Sequence, residues 1–160
     1  MKFFLVATVL LSGLMAGLFY AYSCSVNPGL KMLTDREYIR AMQAINQAIL
    51  NPLFFLAFLG LIVVFSVTCF QLYGSQKIAF YWMIAAMLIY VIGVFGTTMF
   101  FNVPLNDQLA NFSVSTTKPE EISAMRQHFE APWNAFHSFR TVASVVSFCL
   151  TILSLLNYKS

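Results

Sequence analysis

Charged residues are scarce in this sequence. Only 9% of its 160 residues are charged, whereas 59% are apolar. A soluble domain carries roughly a quarter charged residues, so this chain has too few to cover a surface that faces water. The composition therefore predicts an integral membrane protein with the lipid bilayer as its partner. The small net charge of +3, with no basic cluster, argues against nucleic acid as a partner.

Histidine and cysteine are also scarce, which bears on metal and redox chemistry. The two histidines, His128 and His137, lack H-x-x-H or E-x-x-H spacing, so we expect no metal site. Cys24, Cys69 and Cys149 form no C-x-x-C pair. We expect Cys24 and Cys69 at opposite membrane faces, too far apart for a disulfide. No cofactor is expected, although a haem held by His137 stays open.

Long runs without any charged residue follow one another along the chain. Four of them contain 28, 36, 29 and 18 residues and end at Lys31, Lys77, Asp107 and Lys159. About 20 apolar residues cross the hydrocarbon core as a helix, so each run predicts one span. The predicted spans are residues 3–24, 52–73, 78–100 and 136–157. The first run is longer than the apolar part of a typical signal peptide, so we expect a retained helix.

These spans predict one all-α domain over residues 1–160, an up-and-down transmembrane four-helix bundle. The loops at residues 25–51 and 101–135 lie on one side, and we expect a short amphipathic helix in each. On the other side Lys2, Lys77 and Lys159 stand without an acid. We expect a multi-pass protein of the cell membrane with cytoplasmic termini, although the count of bases alone does not favour that orientation.

Turn and capping residues set the predicted ends of the loop helices. Thr34 and Glu37 form a T-x-x-E capping box, and Asn51-Pro52 is expected to interrupt the first loop helix before the second span. Ala131-Pro132 is expected to close the second loop helix, with Pro132 opening the last span.

A ridge of small residues, Gly13-x-x-x-Gly17-x-x-x-Ala21, runs along the first span. Such a ridge lets another helix approach closely. It predicts either packing within this bundle or a homodimer through Gly13 and Gly17.

Polar side chains gather where the spans meet the long loops. In an up-and-down bundle, the end of the first and third spans and the start of the second and fourth share one face. The residues placed there are Tyr20, Tyr22, Arg40, Gln43, Asn46, Gln47, Asn51, Thr97, Thr98, Asn102, Asn106, Trp133, Asn134, His137 and Arg140. Polar groups in a span face the interior or a wet cavity because lipid contact is costly. We therefore predict an aromatic cup on the loop side, which binds a hydrophobic small molecule.

The chain resembles the anthrone-oxygenase-like integral membrane proteins. The resemblance rests on GLFYAYSCSVNPGL, AMQAINQAILNP, FNVPLND and W-N-x-x-H-x-x-R, and it covers nearly the whole chain. It implies a four-span protein, and some members are taken to oxidise anthrones to anthraquinones with molecular oxygen. Most members have no assigned substrate, so the resemblance is less specific about function than about membership.

This resemblance suggests a cofactor-independent oxygenase acting on an anthrone- or quinol-like aromatic substrate. His137 is the predicted base, and Arg140 and Asn134 complete the predicted catalytic group. The predicted substrate-binding residues are Trp133, Asn102, Asn106, Tyr20, Arg40, Gln43 and Gln47. Two other functions stay open: a non-enzymatic module that binds a lipid, quinone or partner helix in the same cup, and a transporter component. The spans hold no charged residue near the membrane centre, which disfavours the transporter.

Overall fold

The computed structural model describes residues 2–159, and these residues form helices and no β-strand. The continuous helical segments are α1 (Lys2–Lys31), α2 (Asp35–Ala48), α3 (Pro52–Leu72), α4 (Lys77–Ala110) and α5 (Pro119–Leu156). Helices α1, α3, α4 and α5 are each long and apolar enough to cross a membrane. The prediction of an all-α protein with four membrane-spanning helices is confirmed.

The four long helices form a bundle in which neighbours along the chain run in opposite directions. Helix α5 packs against α1 and α4, and α3 packs against the same two helices. At one end, the Gln76 side chain in the α3–α4 turn donates to the Lys159 carbonyl at 2.8 Å and accepts from its backbone N–H at 3.1 Å. The turn and the C-terminal residues therefore share the end opposite the long loops.

Small residues and buried hydroxyls hold the helices together inside the bundle. Thr8 of α1 and Thr68 of α3 share a hydrogen bond of 2.8 Å, and Ser147 of α5 donates to the Ala86 carbonyl of α4. Gly93 of α4 lies so close to α5 that an added Cβ would be 2.8 Å from the Ala143 Cβ. Because lipid tails are as apolar as the helix surfaces, the hydrophobic effect does not drive helices together in a bilayer. Close packing and hydrogen bonds such as these provide the attraction.

The Gly13 and Gly17 ridge contributes unequally to this packing. A Cβ added at Gly13 would lie 3.1 Å from the Phe148 ring of α5, whereas one added at Gly17 would meet nothing within 4 Å. Gly13 therefore allows close packing within the bundle. A homodimer through this ridge stays a prediction.

A second apolar core lies on the loop side, above the bundle. We call α2 together with residues 103–135 the roof, and Leu30 of α1 adds to the core that they form. The buried side chains of this core are Leu30, Tyr38, Ile39, Met42, Leu109, Val114, Ile122, Phe129 and Trp133. Burial there raises the pKa of the Tyr38 hydroxyl above its ordinary value. The amphipathic helix predicted in the first long loop is therefore α2, and its apolar side packs into this core.

Local polar contacts fix where α2 begins and how it is held. Thr34 and Glu37 form the predicted capping box, and hydrogen bonds from Thr34 lower the pKa of the Glu37 carboxyl. Arg126 of α5 donates to Asp35 at 3.0 Å and to the Leu33 carbonyl at 2.8 Å. The guanidinium also lies 4.5 Å from the centre of the Tyr38 ring. Arg126 therefore ties the start of α2 to α5.

The loop-side ends of the spans differ from the sequence prediction. Helix α1 continues to Lys31 and α4 to Ala110, well beyond the predicted 24 and 100. The predicted break at Ala131-Pro132 is wrong, because Pro132 lies inside the single helix α5. Proline inside a helix removes one backbone hydrogen bond and crowds the carbonyl four residues earlier, but Phe129 and Trp133 on either side of it are buried in the roof. That packing stabilises a continuous helix.

By contrast, the interruption at Asn51-Pro52 is confirmed. Helix α2 ends at Ala48, and Asn51 begins α3 as its cap, with its side-chain oxygen accepting from the Phe54 N–H at 3.1 Å.

Two of the spanning helices widen into π-helical turns near the roof. In α1 this stretch is Tyr22–Val26, and in α4 the stretches are Tyr90–Gly96 and Thr98–Asn102. Such turns are rare and frequently occur at functional sites. Both helices contribute side chains from these stretches to the cavity described next.

Candidate functional site

A cavity of about 180 Å³ lies beneath the roof, bounded by all five helices. Phenylalanine and aliphatic side chains from α1, α2, α3 and the link between α2 and α3 form much of its wall. Its lining residues are Leu18, Phe19, Tyr22, Ile45, Asn46, Ile49, Leu50, Phe54, Phe55, Phe58, Thr98, Met99, Val103, Asn106, Asp107, Trp133, His137 and Arg140. The predicted cup thus has a counterpart on the loop side, with aromatic walls and a few polar groups.

His137 of α5 is nearly fully buried, with 1% of its surface exposed, and both ring nitrogens have partners. Its Nδ1 lies 3.3 Å from Nε and 3.1 Å from an NH2 nitrogen of Arg140. Guanidinium nitrogens can only donate, so Nδ1 accepts and the proton of the neutral ring sits on Nε2. From there it is donated to the Ser23 hydroxyl at 2.9 Å. The ring also stacks on Trp133, with centroids 5.0 Å apart and planes at 9°.

Arg140, one turn further along α5, is the buried cation of the cavity. Only 8% of its surface is exposed, and its third hydrogen bond goes to the Thr98 hydroxyl at 3.2 Å. Its guanidinium carbon lies 4.8 Å from the Phe19 ring centre and 5.2 Å from that of Trp133. No carboxylate within residues 2–159 forms an ion pair with it.

This geometry leaves Arg140 with unused donor capacity. A guanidinium has five N–H groups, and three contacts to His137 and Thr98 leave two without a partner. A buried cation is costly unless a partner compensates it. An oxygen anion in the cavity would supply that partner, flanked by aromatic faces.

Trp133 is held to the roof by a short chain of polar contacts. Its indole N–H donates to Asn106 Oδ1 at 2.8 Å, and the same oxygen accepts from the Asn46 amide at 3.1 Å. These two contacts fix the orientation of the indole, whose ring stacks on His137, and they occupy the Asn106 Oδ1 atom as an acceptor.

Other predicted site residues lie outside this cavity. Tyr20 is 61% exposed on the outer side of α1, and Phe19 and Tyr22 occupy the position predicted for it. Asn102 is fully buried behind the wall, where its amide donates to the Trp133 carbonyl at 3.3 Å. Asn134 is half-buried and is not among the lining residues. Of the four α5 residues that the spacing placed on one face, Trp133, His137 and Arg140 line the cavity and Asn134 does not.

The polar residues Arg40, Gln43 and Gln47 of α2 line a second cavity, which we call the polar groove. It has a volume of about 610 Å³ and is lined by Arg40, Gln43, Asn46, Gln47, Leu50, Asn106, Asp107, Ala110, Phe112, Ser113, Val114 and Ser115. The Gln43 amide is already committed to the carbonyls of Leu109 and Phe112, at 2.8 and 2.9 Å. The groove shares Asn46, Leu50, Asn106 and Asp107 with the cavity. Arg40, Gln43 and Gln47 thus lie next to the cavity and not in it.

The sequence prediction missed Phe19 and Ser23 of α1, Thr141 of α5, and Asp107 of α4 as parts of this site. Ser23 contacts both His137 and Thr141, at 2.9 and 3.1 Å. Ser23 reaches them from the π-helical stretch Tyr22–Val26, which a regular helical repeat does not reveal. Thr141 follows His137 by four residues, so the helical spacing was a usable signal.

Metal-ligating and thiol groups are dispersed in the part of the chain that is described. Within residues 2–159, no three His, Cys, Asp or Glu side chains come together in a group that could hold a metal. The three cysteines are unpaired.

Comparison with known proteins places this architecture in a family. The family model described as anthrone oxygenase matches residues 42–150, about two thirds of the chain. The matched range includes Asn106, Trp133, His137 and Arg140, whereas Phe19 and Ser23 of α1 lie outside it. No curated protein and no solved structure matches the chain. The chain is a multi-pass membrane protein that belongs to the anthrone oxygenase family.

Proposed function

We propose that this protein is a cofactor-independent oxygenase that converts a planar, anthrone-like or quinol-like compound to a quinone. The observation that carries the proposal is Arg140, a buried guanidinium without an acidic partner in residues 2–159, in the wall of an aromatic cavity. Membership of the anthrone oxygenase family gives the reaction class.

The chemistry requires little beyond a stabilised anion. An anthrone has an acidic C–H between two aromatic rings, and its loss produces an electron-rich anion that reacts with molecular oxygen. The negative charge is shared with the ring oxygen, where the unused N–H groups of Arg140 are available. A preorganised donor at such an oxyanion commonly contributes roughly 100- to 1000-fold in rate. Phe19, Trp133 and the α3 phenylalanines provide apolar surface for the rings.

In this proposal His137 positions Arg140 rather than removing a proton. Its Nδ1 lone pair accepts from the guanidinium, and its Nε2 proton is donated to Ser23. A neutral imidazole in this place fixes the guanidinium without cancelling its charge. This role replaces the general-base role that the sequence suggested.

Oxygen consumption tests the proposal directly. The protein is reconstituted in nanodiscs and supplied with anthrone, and both oxygen uptake and anthraquinone formation are followed. We expect Arg140→Gln to reduce the rate roughly 100-fold or more, with Arg140→Lys between it and the wild type. Lys77→Gln removes the same charge at the far end of the bundle and should leave the rate unchanged. Uptake by Arg140→Gln at the wild-type rate would refute the mechanism.

A second candidate is a non-enzymatic module that binds a lipid or quinone in the cavity. It is favoured by the exposed apolar residues at the cavity mouth, Leu18, Leu50, Phe55 and Met99, which give access from the bilayer. Binding of anthrone by the reconstituted protein without any oxygen uptake would select this function over the oxygenase.

We also propose that the protein lies in the cell membrane with its termini in the cytoplasm. Lys2, Lys77 and Lys159 at the terminal end, without an acid beside them in the sequence, support this orientation. Ser115→Cys places a thiol in the roof, and a membrane-impermeant maleimide should label it on intact cells. Labelling only after lysis would show the opposite orientation, with the roof in the cytoplasm.

A further inference from the structure

We propose that Asp107 is the catalytic base, the group that takes the proton from the acidic carbon of the substrate. This inference rests on the proposed function and supplies a step that the cavity otherwise lacks. A general base must have a free lone pair within reach of the proton that it removes. His137 does not meet this requirement, because Nδ1 accepts from Arg140 and Nε2 carries a proton.

Asp107 is the only carboxylate among the residues that line the cavity. It lies on the last turns of α4, at the wall shared by the cavity and the polar groove. Among residues 2–159, neither an ion pair nor a hydrogen bond occupies its side-chain oxygens. Its lone pairs are therefore available, and its exposure to the polar groove lets a proton on Asp107 exchange with water.

The placement of Asp107 relative to Arg140 suits a carbon acid. Asp107 is exposed at the wall shared with the polar groove, whereas Arg140 is buried, and the two do not form an ion pair. In an anthrone the ring oxygen and the acidic carbon occupy opposite positions of one six-membered ring. A substrate whose oxygen contacts Arg140 thus directs its C–H bonds away from the guanidinium, toward the other end of the cavity.

The proton and electron balance closes with molecular oxygen as the oxidant. Asp107 takes one proton from the CH2 carbon, and the C–H electron pair spreads to the oxygen held by Arg140. The carbon then bonds to oxygen as a peroxide anion, which recovers the proton from Asp107. Asp107 takes the second C–H proton as the O–O bond breaks, which leaves a carbonyl and hydroxide. Hydroxide receives that proton, so CH2 and O2 become C=O and water.

Hydrogen exchange without oxygen tests this step separately from the oxidation. Anthrone is incubated under argon in D2O with the nanodisc protein, and deuterium at its CH2 carbon is measured by mass spectrometry above the protein-free rate. We expect Asp107→Asn to slow exchange roughly 100-fold or more, while quenching of Trp133 fluorescence shows that the ligand still binds. Formate should restore exchange to Asp107→Ala. Glu121→Gln, which removes an exposed carboxylate at the start of α5, is the matched control and should exchange normally.

The outcomes separate the two proposals. Wild-type exchange by Asp107→Asn would overturn the inference, and so would a loss of exchange that formate does not restore. Asp107-dependent exchange without oxygen uptake in the wild type would keep Asp107 as the base and refute the oxygenase. If the wild type takes up oxygen and Asp107→Asn exchanges deuterium at the wild-type rate, the oxygenase is kept and Asp107 is refuted as the base. A wild-type protein that neither exchanges nor oxidises anthrone would refute both.

Discussion

The role of Arg140 predicts a large difference in affinity between a planar anion and its neutral counterpart. Anthracene-9-carboxylate and anthracene-9-carboxamide have nearly the same shape and differ by one charge. Two unit charges about 4 Å apart attract by roughly 4 kcal/mol at an effective dielectric constant of about 20. Since about 1.4 kcal/mol corresponds to a factor of ten in Kd, Arg140→Gln should weaken carboxylate binding roughly 100- to 1000-fold. Its effect on the carboxamide should be small.

Fluorescence of Trp133 offers a direct assay for this prediction. Trp82 is the other tryptophan of the chain and lies roughly 24 Å along α4 from Thr98. In a Trp82→Phe background, Trp133 alone reports on the cavity wall. Both ligands are titrated into protein with Arg140 or with Arg140→Gln, and Lys77→Gln is the charge-matched control. If the variant weakens both ligands equally, or neither, Arg140 does not hold the anion and the reasoning is refuted.

Three further predictions concern the bundle and the roof. Gly93→Ala should destabilise the protein by about 1–3 kcal/mol, because its Cβ would be 2.8 Å from the Ala143 Cβ. Adding Ala143→Gly should recover most of this loss in detergent unfolding titrations, and Gly17→Ala, with open space around it, should cost little. Arg126→Ala should speed amide exchange at the start of α2 without unfolding the spans, since it removes contacts to that segment. Thr34→Ala should cost about 0.5–2 kcal/mol in the same unfolding titrations through loss of the helix cap.

The sequence predicted the structure correctly where a segment's conformation depends mainly on its own residues. The uncharged runs gave four spans because a helix in hydrocarbon satisfies its own backbone, and the capping residues Thr34 and Asn51 mark the starts of α2 and α3. Pro132 was misread because a helix-breaking signal was weighed without its neighbours. Phe129 and Trp133 pack into the roof and keep α5 continuous through the proline.

The candidate site was only partly predictable. Alternating passages through the membrane bring His137, Arg140, Trp133 and Asn106 to one end of the bundle. All four side chains line the cavity. The direction in which each side chain points could not be predicted from the passages alone. Tyr20, predicted to bind substrate, is exposed on the outer side of α1.

What the sequence determined by itself is the number of membrane passages and the side on which the polar residues collect. Both depend on composition and helix length, which act segment by segment. Tertiary structure alone decided which polar atoms are free. His137 lies on the same helix as Arg140, but the Thr98 acceptor of Arg140 comes from α4 and the Ser23 partner of His137 comes from α1. Asp107 of α4 is left unpaired at the wall shared with the polar groove. The contacts between helices have fixed distances only when the helices pack together.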